Sequence, residues 1–183
     1  MIKKIKKIIL ILLLNLICTS CFSGTRGKDY KLNKAQIKSI INVFANELDL
    51  PKELVYELVQ QESQYICNAY SKVGAQGLMQ IMPGNHDYFK WKFAFKSKFD
   101  YLFKVYNILK SDTSLQNPIY NLWWGCSYLK WIMNTYSDNI WIALTIYHDG
   151  QSWYVKNKRP SYVGQNYANT IYDNYMRSKN ETN

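Results

Sequence analysis

Glu62 is the residue in this sequence that is best placed for acid–base chemistry. It follows Leu54 and Leu58 at intervals of four, so the three side chains share one face of a helix predicted to begin at Pro51. Burial on that apolar face and the negative end of the helix dipole should both raise the pKa of Glu62. A carboxylic acid that stays protonated near neutral pH can donate a proton to a leaving group. The periodicity fits equally well a glutamate that turns to solvent at the end of the helix.

The residues that follow this helix predict a turn and a second short helix. Gly74 and Gly77 allow the backbone to approach a ligand closely or to adopt unusual dihedral angles. The apolar segment after them is predicted to be helical and to end at Pro83. Gln76 and Gln80 lie one helical turn apart, and a buried amide in such a segment needs a hydrogen-bond partner. That partner could be core backbone, or a hydroxyl or acetamido group of a sugar.

Three motifs together resemble the signature of lytic transglycosylases of the soluble, goose-lysozyme-like type. The first contains Glu62-Ser63, then Ser71, then Gly74-Ala75-x-Gly77-Leu78-Met79-Gln80-Ile81-Met82-Pro83. The second is Asn117-Pro118-x-x-Asn121-Leu122-x-x-Gly125-x-x-Tyr128-Leu129, and the third is Ala143-Leu144-Thr145-Ile146-Tyr147-His148-Asp149-Gly150. The family's third motif ends in Tyr-Asn-small-Gly, so this chain departs from it at His148 and Asp149. The resemblance covers about residues 50–172 and implies a mostly α, lysozyme-like transglycosylase domain with a glycan-binding cleft.

The resemblance also implies a reaction and the residues that perform it. Lytic transglycosylases cleave the β-1,4 bond between N-acetylmuramic acid and N-acetylglucosamine without water. Glu62 would protonate the glycosidic oxygen and then accept the proton of the muramoyl C6 hydroxyl, which attacks C1 to form a 1,6-anhydro ring. One residue serves both steps, so no second carboxylate, metal ion or cofactor is expected. The residues that the resemblance places in the cleft around Glu62 are Ser71, Gln80, Met82 and Tyr147.

Two other functions stay open on the sequence. A hydrolytic muramidase on the same fold could use a second carboxylate, for which Asp149 is the best candidate. Alternatively, a lipoprotein that binds peptidoglycan without cleaving it would account for the departures in the third motif.

Four residues beside these motifs carry structural expectations. Ser63 should hold local backbone, and Gly125 should allow a close helix crossing. Cys67 and Cys126 could form a disulfide outside the cytoplasm, or they could be two small buried thiols.

Residues 1–20 have the order of a signal peptide. A basic head is followed by an apolar run, residues 8–17, which is shorter than the roughly 20 residues that a membrane span requires. The run Cys18-Thr19-Ser20-Cys21 resembles a lipoprotein cleavage site, after which Cys21 would be acylated. Cys18 stands where leucine is usual, so ordinary signal cleavage stays open. Lipidation predicts attachment at the periplasmic face of a bacterial membrane, with residues 21–32 as a polar tether.

The remaining chain predicts one domain, residues 33–177, followed by a polar tail at 178–183. Asn33 and Gln36 form a capping-box pattern at its start, and Tyr167, Ile171 and Tyr175 share one face of its closing helix. Segment 84–117 is an atypical insertion, and its alternating aromatic residues and lysines could stack on sugars, touch a membrane or form a core flap.

The net charge does not identify a function, because a moderate positive charge suits contact with anionic surfaces but also simply aids solubility. The formal charge of +10 becomes +6 once the four lysines of the signal peptide are removed, and this balance suits contact with wall or membrane surfaces. The sequence contains no zinc-ligand spacing, phosphate loop or nucleic-acid motif. The family resemblance implies peptidoglycan strands as partners, and the lipid implies a membrane; the domain is predicted to be a monomer.

Overall fold

Helices make up most of residues 30–87 and 114–181, the part of the chain that the computed structural model describes. They are α1 (Lys34–Glu47), α2 (Lys52–Ser63), α3 (Pro118–Thr135), α4 (Ile140–Asp149), α5 (Gln151–Asn157) and α6 (Tyr162–Glu181). Within these residues, β-structure is limited to isolated bridges between residues 70 and 81. The mostly α architecture predicted from the sequence is confirmed.

The first helix begins where the sequence predicts it. The Asn33 side chain accepts a hydrogen bond from the backbone N–H of Gln36 at 2.9 Å, and the Gln36 side chain accepts one from the Asn33 N–H at 2.9 Å. This reciprocal pair is the predicted capping box. Tyr30 is buried in the core and Leu32 packs against that core, so the last residues of the predicted tether, 21–32, belong to the folded domain.

The centre of the domain is α3, which is apolar around nearly its whole circumference. Trp124, Leu122 and Leu129 are almost completely buried on this helix, as expected of a helix that neighbours enclose on all sides. α3 packs against α1 and α4, and α6 packs against both α4 and α2. This arrangement brings the end of α2, the end of α4 and the middle of α6 to one side of α3.

The closing helix is longer than the sequence predicts. α6 continues through Glu181, past residue 177, after which a polar tail was predicted. The Ser178 hydroxyl donates to the Glu57 side chain at 3.3 Å and to the Asn174 carbonyl at 3.0 Å. These bonds fasten the polar end of α6 to α2.

The predicted second short helix, which was expected to end at Pro83, is also wrong. Gly77 (φ +76°) and Gln80 (φ +46°) adopt left-handed dihedral angles, which interrupt a right-handed helix. The N–H of Gln76 donates to the Ile81 carbonyl at 3.1 Å, and the N–H of Ile81 donates to the Gln76 carbonyl at 2.9 Å. Residues 76–81 therefore form a closed turn, called here the floor loop, and helical backbone begins at Pro83 instead of ending there.

Several predictions on the N-terminal region and the insertion lie outside the described residues. They are the signal peptide, acylation of Cys21, and most of the insertion, residues 88–113. In the described ranges, 30–87 and 114–181, no helix combines the length and the apolar character that crossing a bilayer requires.

Candidate active site

A cleft of about 730 Å³ opens beside the last turn of α2. The residues that the sequence places around one glycan site all line it: Glu62, Ser71, Gln80, Met82 and Tyr147. The opposite wall is formed by the end of α4 and the start of α5, residues 147–152. The structure therefore brings together side chains that are up to 85 residues apart in the sequence.

Glu62 lies at the inner end of this cleft with its carboxyl group largely enclosed by protein. Burial raises the pKa of Glu62 to about 7, and a hydrogen bond from the Tyr167 hydroxyl to Glu62 Oε1 acts in the opposite direction. Burial has the larger effect because an enclosed carboxylate loses its hydration. Near neutral pH the Glu62 side chain is therefore present both as the acid and as the anion. A group that donates a proton in one step and accepts one in another must be able to adopt both forms.

Tyr167 is the functional residue that the sequence reasoning missed. It was placed on the core face of the closing helix with Ile171 and Tyr175, without a role in the site. A signal was available, because a tyrosine hydroxyl on an otherwise apolar stripe usually has a partner when buried. The identity of that partner was not readable, since Glu62 lies 105 residues earlier in the chain.

Replacing Tyr167 with phenylalanine should raise the pKa of Glu62 further, because the hydrogen bond that favours the carboxylate is lost. We expect the high-pH limit of activity in Tyr167→Phe to move upward by roughly half a pH unit to one unit. The rate of the proton-donation step should fall, since the carboxylate that this step forms loses a hydrogen-bond donor. Initial rates measured across pH test this, and Tyr172→Phe on the same helix is the matched control. An unchanged pH limit in Tyr167→Phe would contradict the assignment.

The floor loop is held by polar side chains from three different helices. The Ser63 hydroxyl donates to the Val59 carbonyl at 3.1 Å, which is the expected bond to local backbone, and to the Leu78 carbonyl of the floor loop at 2.8 Å. The Tyr147 hydroxyl donates to the Met79 carbonyl at 2.9 Å. Burial, and then the nearby charge of Glu62, raise the pKa of Tyr147 well above its usual value, so its hydroxyl stays protonated. Tyr147 thus forms part of the cleft wall and fixes the loop below it.

Asn121 makes three hydrogen bonds to backbone from a fully buried position on α3. Its Oδ1 accepts from the Met79 N–H at 2.7 Å, and its Nδ2 donates to the carbonyls of Gln76 at 2.8 Å and Leu115 at 2.7 Å. Gly77 is required beside it, because a Cβ at that position would overlap Asn121 and the Leu115 carbonyl. The side chain therefore fixes the floor loop against the start of α3.

Gly125 serves a different contact from the one expected. A Cβ at this position would overlap the Met79 side chain, so Gly125 admits a residue of the floor loop and not a crossing helix. Cys126 lies beside the same side chain, with 3.9 Å between Cys126 Sγ and Met79 Sδ, and burial raises the pKa of its thiol to about 12. Cys126 and Cys67 are both buried as thiols and are not joined in a disulfide.

Ser71 and Gln80 shape the near wall of the cleft. Ser71 Oγ accepts from the Ala75 N–H at 2.9 Å, and the Ser71 N–H donates to the Ala75 carbonyl at 2.9 Å, so this residue closes the turn before the floor loop. Gln80 Nε2 donates to the carbonyls of Gly77 at 2.9 Å and Ala69 at 3.3 Å. The amide nitrogen of Gln80 is thus used by backbone, which leaves its oxygen for the cleft.

Asp149 borders the cleft, but its carboxylate is engaged in the structure. Its Oδ2 accepts from the Ser161 N–H at 2.7 Å, and its Oδ1 accepts from the Ser161 hydroxyl at 2.7 Å and lies 3.0 Å from His148 Nδ1. Gly164 leaves room for this carboxylate, which a Cβ would overlap. Burial alone would raise the pKa of Asp149, but the hydrogen bonds from His148 and Ser161 outweigh it and hold that pKa below its usual value. The group links α4 to the start of α6, which is a structural role.

The helical domain with an enclosed glutamate above the floor loop has a lysozyme-like fold. The family model of the transglycosylase SLT domain matches residues 39–169. The chain therefore belongs to the transglycosylase SLT family.

Solved structures of lytic transglycosylases share this fold. One is an inactive glutamate-to-glutamine mutant of lytic transglycosylase Slt from Pseudomonas aeruginosa, with a TM-score of 0.60 and 22% identity over 78% of this chain. Another is the 70 kDa soluble lytic transglycosylase from Escherichia coli, with a TM-score of 0.58 and 22% identity over 76% of this chain. The match covers 24% of each of those longer chains. A complex of the 70 kDa enzyme with bulgecin A has a TM-score of 0.59 and 22% identity.

Proposed function

We propose that this protein is a peptidoglycan lytic transglycosylase that cleaves the bond between N-acetylmuramic acid and N-acetylglucosamine and leaves 1,6-anhydromuramoyl ends. The observation that supports this most is the carboxyl group of Glu62, enclosed at the inner end of the cleft with a pKa of about 7. A group with that pKa can act as an acid in one step and as a base in the next at neutral pH.

The proposed reaction uses Glu62 twice and returns it to its starting state. Protonated Glu62 gives its proton to the glycosidic oxygen while the bond from that oxygen to C1 of the muramoyl sugar breaks. The resulting carboxylate accepts the proton of the C6 hydroxyl, whose oxygen forms a bond to C1. The nucleophile is already part of the substrate, so its effective concentration is high and no water is consumed. Between the two steps the Tyr167 hydroxyl stabilises the anion.

The other cleft residues have supporting roles in this proposal. The oxygen of Gln80 and the side chain of Met82, which is 38% exposed at the cleft edge, contact the glycan. Ser71 and Tyr147 hold the walls in place through their bonds to Ala75 and Met79. The proposal that a glutamate is the acid is supported by the inactive glutamate-to-glutamine mutant of the Pseudomonas aeruginosa enzyme.

Export to the cell wall completes the proposal. Residues 1–20 direct the chain across the membrane, and acylation of Cys21 then anchors it at the periplasmic face, close to peptidoglycan. The functional unit is a monomer that requires neither metal nor cofactor.

Product analysis tests the reaction. Digestion of purified sacculi followed by mass spectrometry should give muropeptides with anhydro ends, which are lighter than hydrolytic products by the mass of one water. Hydrated products would show the muramidase alternative instead, although the bonds of Asp149 to Ser161 disfavour a second catalytic carboxylate. Release of no muropeptides, with sacculi still bound, would show the non-catalytic peptidoglycan-binding lipoprotein.

The pH dependence of the rate follows from the raised pKa. The first step needs Glu62 in its acid form, so the rate should hold below about pH 7 and then fall about tenfold per pH unit. An unperturbed glutamate would lose its proton near pH 4.3 and would leave little acid at neutral pH. Initial rates of muropeptide release from roughly pH 5 to pH 9 measure this limit. A rate that is already lost by about pH 5 would contradict the enclosed state of Glu62.

A further inference from the structure

His148 is the penultimate residue of α4 and lies at the edge of the cleft, at a position where the resembled family has an asparagine. The imidazole ring lines the cleft and packs against the Tyr167 ring, with 4.7 Å between the ring centroids. About a third of its side chain, 34%, is exposed. His148 is therefore in contact with the residue that holds Glu62 and is also accessible to a bound ligand.

The tautomer of His148 follows from the bonds of its neighbour. Asp149 Oδ1 lies 3.0 Å from His148 Nδ1, and both Asp149 oxygens already accept hydrogen bonds from Ser161. Because a carboxylate anion can only accept, a hydrogen bond between these two groups places an N–H on His148 Nδ1. In the tautomer whose single N–H is on Nδ1, the other nitrogen, Nε2, is an acceptor with a free lone pair.

Nε2 has no hydrogen-bond partner in the described part of the chain, and its ring borders the cleft. Asparagine at this position could still donate to Asp149 through its short side chain, but it would not reach as far as Nε2. The replacement of asparagine by histidine therefore adds an acceptor to the cleft wall without removing the link to Asp149.

We propose that His148 is a substrate-binding residue whose Nε2 accepts a hydrogen bond from a hydroxyl or acetamido N–H of the glycan strand. Asp149 is its positioning residue, because it fixes both the tautomer and the ring orientation. The proposal rests on the proposed function for the identity of the ligand as a glycan. The same ring supports Tyr167 from the side, so a bound sugar, His148, Tyr167 and Glu62 form one continuous contact.

Amide substitutions separate the two ring nitrogens. An asparagine amide overlaps Nδ1 and keeps the bond to Asp149, whereas a glutamine amide reaches the position of Nε2 and can accept there. The full chain in detergent carries Glu62→Gln, so that glycan is bound but not cleaved. The probe is a stem-free fragment of alternating N-acetylglucosamine and N-acetylmuramic acid, and titration calorimetry measures its affinity.

His148→Asn in this background should weaken binding about 5- to 10-fold, the loss that one hydrogen bond represents, and His148→Gln should bind within about threefold of the parent. Asp149→Asn should also weaken binding. An amide can donate as well as accept, so it does not fix the orientation of the His148 ring as the carboxylate does. Unchanged affinity in His148→Asn, or equal losses in His148→Asn and His148→Gln, would overturn the proposal.

Failure of the proposed function is distinguishable from failure of this inference. If the wild-type chain releases no muropeptides but fragment binding still depends on His148, only the catalytic function fails. If the Glu62→Gln chain does not bind the fragment, both are overturned.

Discussion

The Glu62→Gln variant is expected to lose about 10³-fold or more of its turnover while it keeps its fold and its affinity for glycan. Glutamine has the same shape and can still accept from Tyr167, but it can neither give a proton to the glycosidic oxygen nor take one from the C6 hydroxyl. Because one residue performs both transfers, no other group compensates for its loss. Release of muropeptides from sacculi measures the effect. Substantial activity in this variant would refute the assignment of the acid.

A second measurement on Glu62→Gln tests the burial argument independently of catalysis. The pKa of Glu62 is raised on folding. The stability that the Glu62 side chain contributes is therefore fully present at acidic pH and is lost as the pH rises through about 7. The glutamine variant should therefore be more stable than wild type by about 1–3 kcal/mol near pH 8 and about equal to it near pH 4. Glu53→Gln, in the first turn of the same helix, is the control and should change neither activity nor this pH dependence.

Asn121→Ala should reduce the free energy of unfolding by about 3–5 kcal/mol and remove most activity. The substitution leaves the Met79 N–H and the carbonyls of Gln76 and Leu115 without their side-chain partner in a buried environment. It also opens a cavity beneath the floor loop. Urea denaturation followed by circular dichroism measures the loss, and muropeptide release measures the effect on the cleft.

The matched control is Asn169→Ala, which removes an exposed asparagine that accepts from Trp141 Nε1 at 2.7 Å. Its loss should stay below about 1 kcal/mol, since water replaces the partner. Asn121→Asp keeps the acceptor for the Met79 N–H but loses both donors, so its stability should lie well below wild type. A denaturation midpoint for Asn121→Ala close to that of Asn169→Ala would contradict the role given to Asn121.

Local rules predicted the elements that carry the acid. The spacing of Leu54, Leu58 and Glu62 placed the carboxyl group on the inner face of α2, and the pair Asn33 and Gln36 marked the start of α1. Such features depend on neighbours within one or two helical turns, which a sequence displays directly. The ordered motifs then identified the residues that line the cleft.

Contacts between distant segments could not be predicted in this way. The floor loop was predicted as a helix because its apolar residues suit one, yet Asn121 binds its backbone and Gln76 pairs with Ile81. The roles of Tyr167 and Asp149 likewise depend on partners from other helices. Tertiary contacts override local preference in these cases, and a single sequence does not show which side chains meet.

The hydrogen bond between Tyr167 and Glu62 has a consequence for the newly made chain. The two residues are 105 positions apart, and the helix that supplies the tyrosine is the last one of the described fold to be synthesised. Closing so long a loop is slow compared with forming a local helix, so the Glu62 carboxyl group stays exposed to water until α6 docks. Until then the chain lacks the enclosed carboxyl group of Glu62, so the last described helix completes the site.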